Sequence, residues 1–370
     1  MLKIGVVGVG NMGTFHTKTL YSGEVEGAAL AAVCDINPAR IAFCESAFPG
    51  AERFEHYADM LSSGLLNAVI IAVPHYFHCP LSYAAFEAGL HVLCEKPAGV
   101  YAGEVREMNR RAKASGKVFS LMLNQRTEPI YIKCRELVQS GALGTIQRLT
   151  WDITNWYRTL DYYRSAEWRG TWAGEGGGVL LNQAVHNLDL WQWILGMPEA
   201  VTAFCGFGKH HAIEVEDEAI IFARYKNGCT AQFTASTGEP FGVNRLEIIG
   251  EAGRLTAENG RLFLKRDADL PAQDITPGAA GGGHKQILQN FANAALYGEP
   301  LIAPGEDGIF SVELINAAYL SAWESRAVEI PVPSEYYRQK LAQKAAFGFK
   351  KPEAAPEVKS DPEARWRVRW

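Results

Sequence analysis

Gly8, Gly10 and Gly13 constrain this chain more than any other residues. They follow Ile4, Val6 and Val7, an apolar run of strand length, in the spacing G-x-G-x-x-G. That spacing predicts a buried strand, a tight turn and a helix. Gly8 permits the turn, Gly10 leaves the backbone open to a pyrophosphate, and Gly13 lets the helix pack close to the strand. The N–H groups of the first helical turn, at Asn11 and Met12, then face phosphate oxygens. A second apolar run, Ala28 to Val33, leads to Asp35. An acid there accepts hydrogen bonds from both hydroxyls of an adenosine ribose. Its charge disfavours a 2′-phosphate, so NAD is expected rather than NADP. Arg40 softens that preference if it swings over the carboxylate.

The alternation continues. Asn37-Pro38 opens a helix that runs to about Phe48. Ala68 to Val73 is a continuous apolar run, as expected of a strand buried on both faces, and it stops at Pro74. His75 and His78 follow, and Pro80 opens a helix ending at Gly89. His91 to Cys94 is a strand that runs into Glu95-Lys96-Pro97, followed by a helix over 102–115 and a strand over 117–123. Residues 1–123 are therefore expected to form an α/β domain with a doubly wound parallel sheet. Ligands bind such sheets outside the carboxyl ends of the strands. Gly8 to Gly13, Asp35, Pro74, His75, Glu95, Lys96 and Asn124 all fall there. Lys96, between an acid and a proline that restricts it, is not placed for solvation. The Lys96–Pro97 bond is a candidate cis peptide.

Residues 124–335 read differently. A helix from Pro129 to about Ser140 precedes strand character over 144–158. An aromatic and basic loop follows, with Tyr157, Arg158, Tyr162, Tyr163, Arg164, Trp168, Arg169 and Trp172. Such rings stack on apolar sugar faces, and such arginines bond hydroxyls or carboxylates. After Gly176-Gly-Gly178, one helix is expected over 179–195, placing Asn182, His186, Asp189 and Trp193 on one face. That polar stripe on a largely buried helix is costly unless paired or used, and His186 is a candidate general base. Strands over 200–207, 217–226, 229–237 and 243–250 succeed one another without helices, which predicts a large, mainly antiparallel open sheet. Helices over 284–297 and 305–326 close the domain, and 336–370 are read as a helix end and a tail finishing in Arg365-Trp-Arg-Val-Arg-Trp370.

A net charge of −5 without a long basic run argues against nucleic acid or an anionic membrane as partner. No apolar stretch reaches the roughly 20 residues of a membrane-spanning helix. The first strand begins at residue 2 or 3, where a signal peptide would lie. The seven cysteines are irregularly spaced with no C-x-x-C, so reduced thiols, no metal site and a cytoplasmic location are expected.

Three motifs together resemble the Gfo/Idh/MocA family, the glucose–fructose oxidoreductase and inositol dehydrogenase group. They are Gly8-x-Gly10-x-x-Gly13 with Asp35, Glu95-Lys96-Pro97, and Gly176-Gly-Gly-x-x-x-Asn182-x-x-x-His186-x-x-Asp189. The resemblance spans about residues 1–330. It implies a Rossmann domain and a second α/β domain whose open sheet carries the site on one side and a homodimer or homotetramer contact on the other. It also implies bound NAD and a sugar, glycoside or polyol substrate. Carried over residue by residue, Lys96 and His186 are the catalytic pair, with Asn182 beside them. Pro74, His75, His78, Glu95 and Asn124 line the cofactor site. Tyr157, Arg158, Tyr163, Trp168, Trp172 and Asp189 are the substrate candidates. The family usually has aspartate where this chain has Asn182, which orients an imidazole but supplies no charge to it. The reaction expected is oxidation of a ring hydroxyl, with C3 of a pyranoside as one target. The alternatives within the family are an NAD-retaining glycosidase or lyase acting by oxidation and elimination, and a non-catalytic NAD-binding sensor.

Overall fold

The computed structural model describes residues 1–348. The aromatic tail singled out above lies outside them. The chain forms two compact units: Met1–Gly99 with Gly103–Thr127 and Gly281–Ile309, and Val100–Ala102 with Glu128–Ala280 and the chain from Phe310. A single boundary after residue 123 therefore does not describe the chain, because the helix Gly283–Tyr297 belongs to the first unit. Its Gly283 N–H donates to Thr127 Oγ1 at 2.9 Å, and Gln289 exchanges bonds with the Glu26 N–H (2.7 Å) and carbonyl (3.1 Å).

The first unit is built on a parallel sheet of β1 (Leu2–Val7), β2 (Ala28–Cys34), β3 (Glu52–Phe54), β4 (Ala68–Ile71), β5 (His91–Cys94) and β6 (Phe119–Leu121). The order is β3-β2-β1-β4-β5-β6. Every pair is parallel, so every connection crosses a face and the central strands are buried on both sides. The order reverses between β1 and β4, which opens a crevice at the carboxyl edge. Strand β3 and the helix Tyr57–Ser62 complete the half-sheet between the second helix and β4. Neither was expected from the sequence, because β3 is three residues of largely exposed chain without apolar alternation.

The second unit carries a sheet of nine strands: β7 (Ile146–Ile153), β8 (Ala200–Phe207), β9 (Glu216–Arg224), β10 (Thr230–Ser236), β11 (Asn244–Gly250), β12 (Gly253–Glu258), β13 (Arg261–Lys265), β14 (Gln273–Asp274) and β15 (Val328–Glu329). Only β7 and β10 pair in parallel. Strand β7 stops at Ile153, not at Arg158 as the sequence suggested, because the chain leaves the ladder for the aromatic loop. Along β9, buried Ala219, Ile221 and Ala223 alternate with more exposed Ile220, Phe222 and Arg224, so one sheet face packs and the other looks outward.

The triple glycine is packed, not loose. A Cβ on Gly178 would stand 1.9 Å from the Glu216 carbonyl oxygen, and one on Gly177 would stand 2.2 Å from the Tyr319 hydroxyl. Gly178 N–H and Leu180 N–H both donate to the Glu216 carboxylate at 2.9 Å, and the Tyr319 hydroxyl donates to it at 2.7 Å. Burial pushes that carboxyl up to about 7 despite these donors. Gly178→Ala is expected to cost at least about 3 kcal/mol, since backbone cannot give way as a side chain does. Urea unfolding of the two proteins checks this.

Candidate active site

The site residues divide between the two units. In the first unit they cluster along the carboxyl edge of the parallel sheet. Gly8 follows β1 with φ +81°, and a Cβ there would lie 2.4 Å from the Ala72 carbonyl oxygen. A Cβ on Gly13 would lie 1.7 Å from the Gly8 carbonyl oxygen, so both are glycines for packing and turn geometry. Gly10 is different: nothing lies within 4 Å of its Cβ position. It precedes the helix Asn11–Tyr21, and no side chain caps that helix. Open space in front of uncapped N–H groups at Asn11 and Met12 suits an anionic phosphate. Asp35 stands at the end of β2, accepting from Val9 N–H at 2.7 Å and Asn37 N–H at 2.9 Å. Arg40 is fastened to the Val9 carbonyl (2.6 Å) and to Thr14 Oγ1 (2.7 Å) beside the glycine turn.

Asn124 follows β6 and is 6% exposed, and its Oδ1 is buried without a protein hydrogen bond. An orphaned amide oxygen at this edge fits a ligand that brings its own donor, as a nicotinamide carboxamide does. Pro74 and buried His75 lie beyond β4. His78 is a correction to the cofactor set. Its ring nitrogens lie 2.7 Å from the Pro97 carbonyl and 2.8 Å from the Val73 carbonyl, so it staples two edge loops together and has no nitrogen left for a ligand.

Lys96 is half-buried and forms a cis peptide bond with Pro97. Glu95 beside it is buried, with Oε1 accepting from His16 Nε2 at 2.7 Å. Burial, the largest influence, raises the Glu95 carboxyl. The His16 hydrogen bond and the nearby charges of His16, His284 and Lys96 together outweigh it and hold the group at about 2. His16 and His284 were missed from the sequence. Their rings are 6.2 Å apart behind Glu95, and they come from helices distant in the chain. The folded value lies below the ordinary 4.5, so this carboxylate stabilises the fold fully above pH 4.5, and the contribution disappears as pH falls toward 2. The amount is on the order of 3 kcal/mol. His16→Ala is expected to flatten or reverse the fall in stability over that acid range, measured by denaturant unfolding at a series of pH values.

In the second unit the expected single helix is broken. It runs Val179–Asn182 and then Val185–Leu195. The Val179 carbonyl accepts from both Gln183 N–H (3.1 Å) and Ala184 N–H (2.7 Å), a five-residue closure that widens the turn. Asn182 is therefore not on one continuous face with His186, Asp189 and Trp193; only the last three share a helix. The break turns Asn182 toward Glu175 and Tyr162. Its amide nitrogen donates to the Glu175 carboxylate and, at 3.2 Å, to the Tyr162 hydroxyl, which also accepts from Gln183 Nε2 at 2.9 Å and from Arg169. Glu175 accepts from Gly170 N–H at 2.6 Å. Glu175, Tyr162 and Gln183 thus join the site cluster. Glu175 was legible only as an acid directly before the glycines.

His186 and Asp189 are buried, and Gln192 donates to Asp189 at 3.0 Å. Arg158 is buried and Tyr157 exposed. Trp168 is half-buried beneath the Arg169 guanidinium. Two substrate candidates prove to be packing residues. Trp172 lies among Phe207, Tyr319 and Trp323 at centroid distances of 5.2 to 5.8 Å. Tyr163 is buried against His211 and bonds Thr237 at 2.8 Å.

A Rossmann unit with an open phosphate turn, and a second unit that carries a buried histidine on a broken helix and a mainly antiparallel sheet, define an NAD-binding oxidoreductase. The chain belongs to the Gfo/Idh/MocA family. Residues 2–123 match the family's NAD-binding Rossmann fold and residues 131–256 its C-terminal domain. An inositol 2-dehydrogenase of Corynebacterium glutamicum is 30% identical over 352 residues, covering 90% of this chain and 98% of the relative. A myo-inositol 2-dehydrogenase of Thermotoga maritima is 24% identical over 359 residues, covering 89% and 98%. The WlbA dehydrogenase of Bordetella pertussis, solved with NADH and UDP-GlcNAcA, superposes with a TM-score of 0.78 at 25% identity, covering 90% of this chain and 99% of that one.

Proposed function

We propose that this protein is an NAD-dependent dehydrogenase of a ring hydroxyl on a sugar, glycoside or polyol. The observation that carries the reading is the pairing of a complete NAD edge with a buried histidine on a broken helix, each in its own unit. NAD supplies the hydride acceptor. His186 takes the hydroxyl proton, and Lys96 holds the oxygen and stabilises its alkoxide character. Glu95, held ionised at about 2 by His16 and the nearby charges, sets a carboxylate beside Lys96. Asn182 donates to Glu175 and Tyr162, which fixes its amide beside the helix that carries His186. The inositol dehydrogenases among the relatives, and the dehydrogenase solved with UDP-GlcNAcA, support a polyhydroxylated ring, with C3 of a pyranoside as the position proposed. Assembly as a homodimer or homotetramer through the outward sheet face is proposed from exposed Phe204 and Phe222, 66% and 46% accessible.

The test is to measure nucleotide released on denaturation, then NADH formation from NAD with inositols, aldoses and glycosides. NADH produced in proportion to one substrate class supports the dehydrogenase. Stoichiometric bound cofactor with solvent deuterium entering C2 of recovered sugar, and no net NADH, replaces it with the oxidation–elimination reading. Dinucleotide binding with no redox change across the panel replaces it with a sensor.

A further inference from the structure

Tyr162 lies between two guanidinium groups. Arg158 Cζ is 5.1 Å from its ring centroid and Arg169 Cζ is 4.2 Å away. Arg158 is 6% exposed. Its Nη1 donates to the Tyr157 carbonyl at 2.9 Å, and its Nε is buried with no partner. The Nε of Arg169 is buried with no partner as well. Arg169 otherwise donates to the Tyr162 hydroxyl and lies 4.5 Å over Trp168. Among the described residues neither guanidinium has a carboxylate within ion-pair distance. Glu175 lies in the same cluster, and Gly170 N–H and Asn182 bond it. Buried guanidinium N–H groups without a partner are costly unless an acceptor arrives.

The arginines are also held in advance. Arg158 N–H donates to the Thr237 carbonyl at 2.9 Å, and His211 Nε2 lies 2.9 Å from the Arg158 carbonyl. The adjacent Trp156 Nε1 donates to Asn187, the neighbour of His186, at 3.2 Å. The Tyr162 hydroxyl joins Arg169 to Asn182 and Gln183 at the helix break. A cationic patch is thus fastened to the helix that carries the proposed base.

We propose that Arg158 and Arg169 form an oxyanion subsite, and that the substrate is a sugar bearing a carboxylate or phosphoryl group as well as the hydroxyl presented to His186. This rests on the dehydrogenase reading. The planar forks offer parallel N–H groups to such oxygens, which a neutral hydroxymethyl group does not use.

The test is calorimetric titration of NAD-loaded protein with glucuronate, galacturonate and glucose 6-phosphate against glucose and galactose, with NADH followed in the same samples. At least one anion is expected to bind about 30-fold tighter than its neutral parent. Arg169→Gln is expected to reduce that ratio about tenfold, and Arg169→Lys to restore part of it. Preference for uronates assigns a carboxylate, and preference for the phosphate assigns a phosphoryl group. Equal binding of anions and neutral sugars overturns the subsite, as does an unchanged ratio in Arg169→Gln and Arg158→Gln. If Arg158→Gln does not fold, the half-buried Arg169 decides alone. Anion-selective binding without NADH leaves the subsite standing and removes the dehydrogenase reading. NADH from neutral sugars without anion preference does the reverse.

Discussion

Lys96→Met is expected to lower kcat about a thousandfold while NAD binding stays within a few-fold. Methionine keeps the length and apolar stem of lysine and removes the charge, so packing around β5 is retained. The lysine lies two residues past the end of that strand, next to a buried carboxylate bonded to His16. Such a cation contributes most where negative charge develops on oxygen, that is, in the transition state. The loss should therefore appear in kcat more than in KM. Turnover at the wild-type rate with NAD still bound would remove Lys96 from the chemistry.

His186→Gln is expected to cost a similar factor, about a thousandfold in kcat/KM. It carries a second signature. A general base works only as neutral imidazole, so with His186 in that role the wild-type rate is expected to fall on the acid side. Glutamine keeps a polar group in the buried position but cannot titrate, and the residual activity should lose that acid limb. A variant whose residual rate kept the wild-type pH profile would assign the proton to another group. Tyr162, which accepts bonds from Asn182, Gln183 and Arg169, is then the first to examine.

The cofactor edge was legible in the sequence because its determinants are local. Each residue stands at the end of an apolar run, and a parallel sheet brings all such ends to one side. Asn124, Lys96 and Asp35 could therefore be placed from strand endings alone. Four antiparallel strands from 200 to 250 were legible for the same reason. The hairpin β12–β13 was not expected, although Asn259 and Gly260 turn it with φ of 52° and 74°, because its flanking runs are short and mixed with charge.

What sequence alone determined is the glycine turn of the NAD-binding unit, the place of Asp35 at the end of β2, and the candidate pair Lys96 and His186. These rest on spacing along one strand or one turn, which local backbone geometry converts directly into position. What only the tertiary structure decided is which groups stand behind them. His16 and His284 secure Glu95, Glu175 and Tyr162 hold Asn182, and the widened turn at Val179 separates Asn182 from the helix of His186. Tertiary packing likewise removed Trp172, Tyr163 and His78 from ligand roles and left the Nε atoms of Arg158 and Arg169 buried with no hydrogen-bond partner. Such pairings join residues far apart in the chain. Burial and desolvation, which set their charge and hydrogen bonding, exist only once the chain has packed.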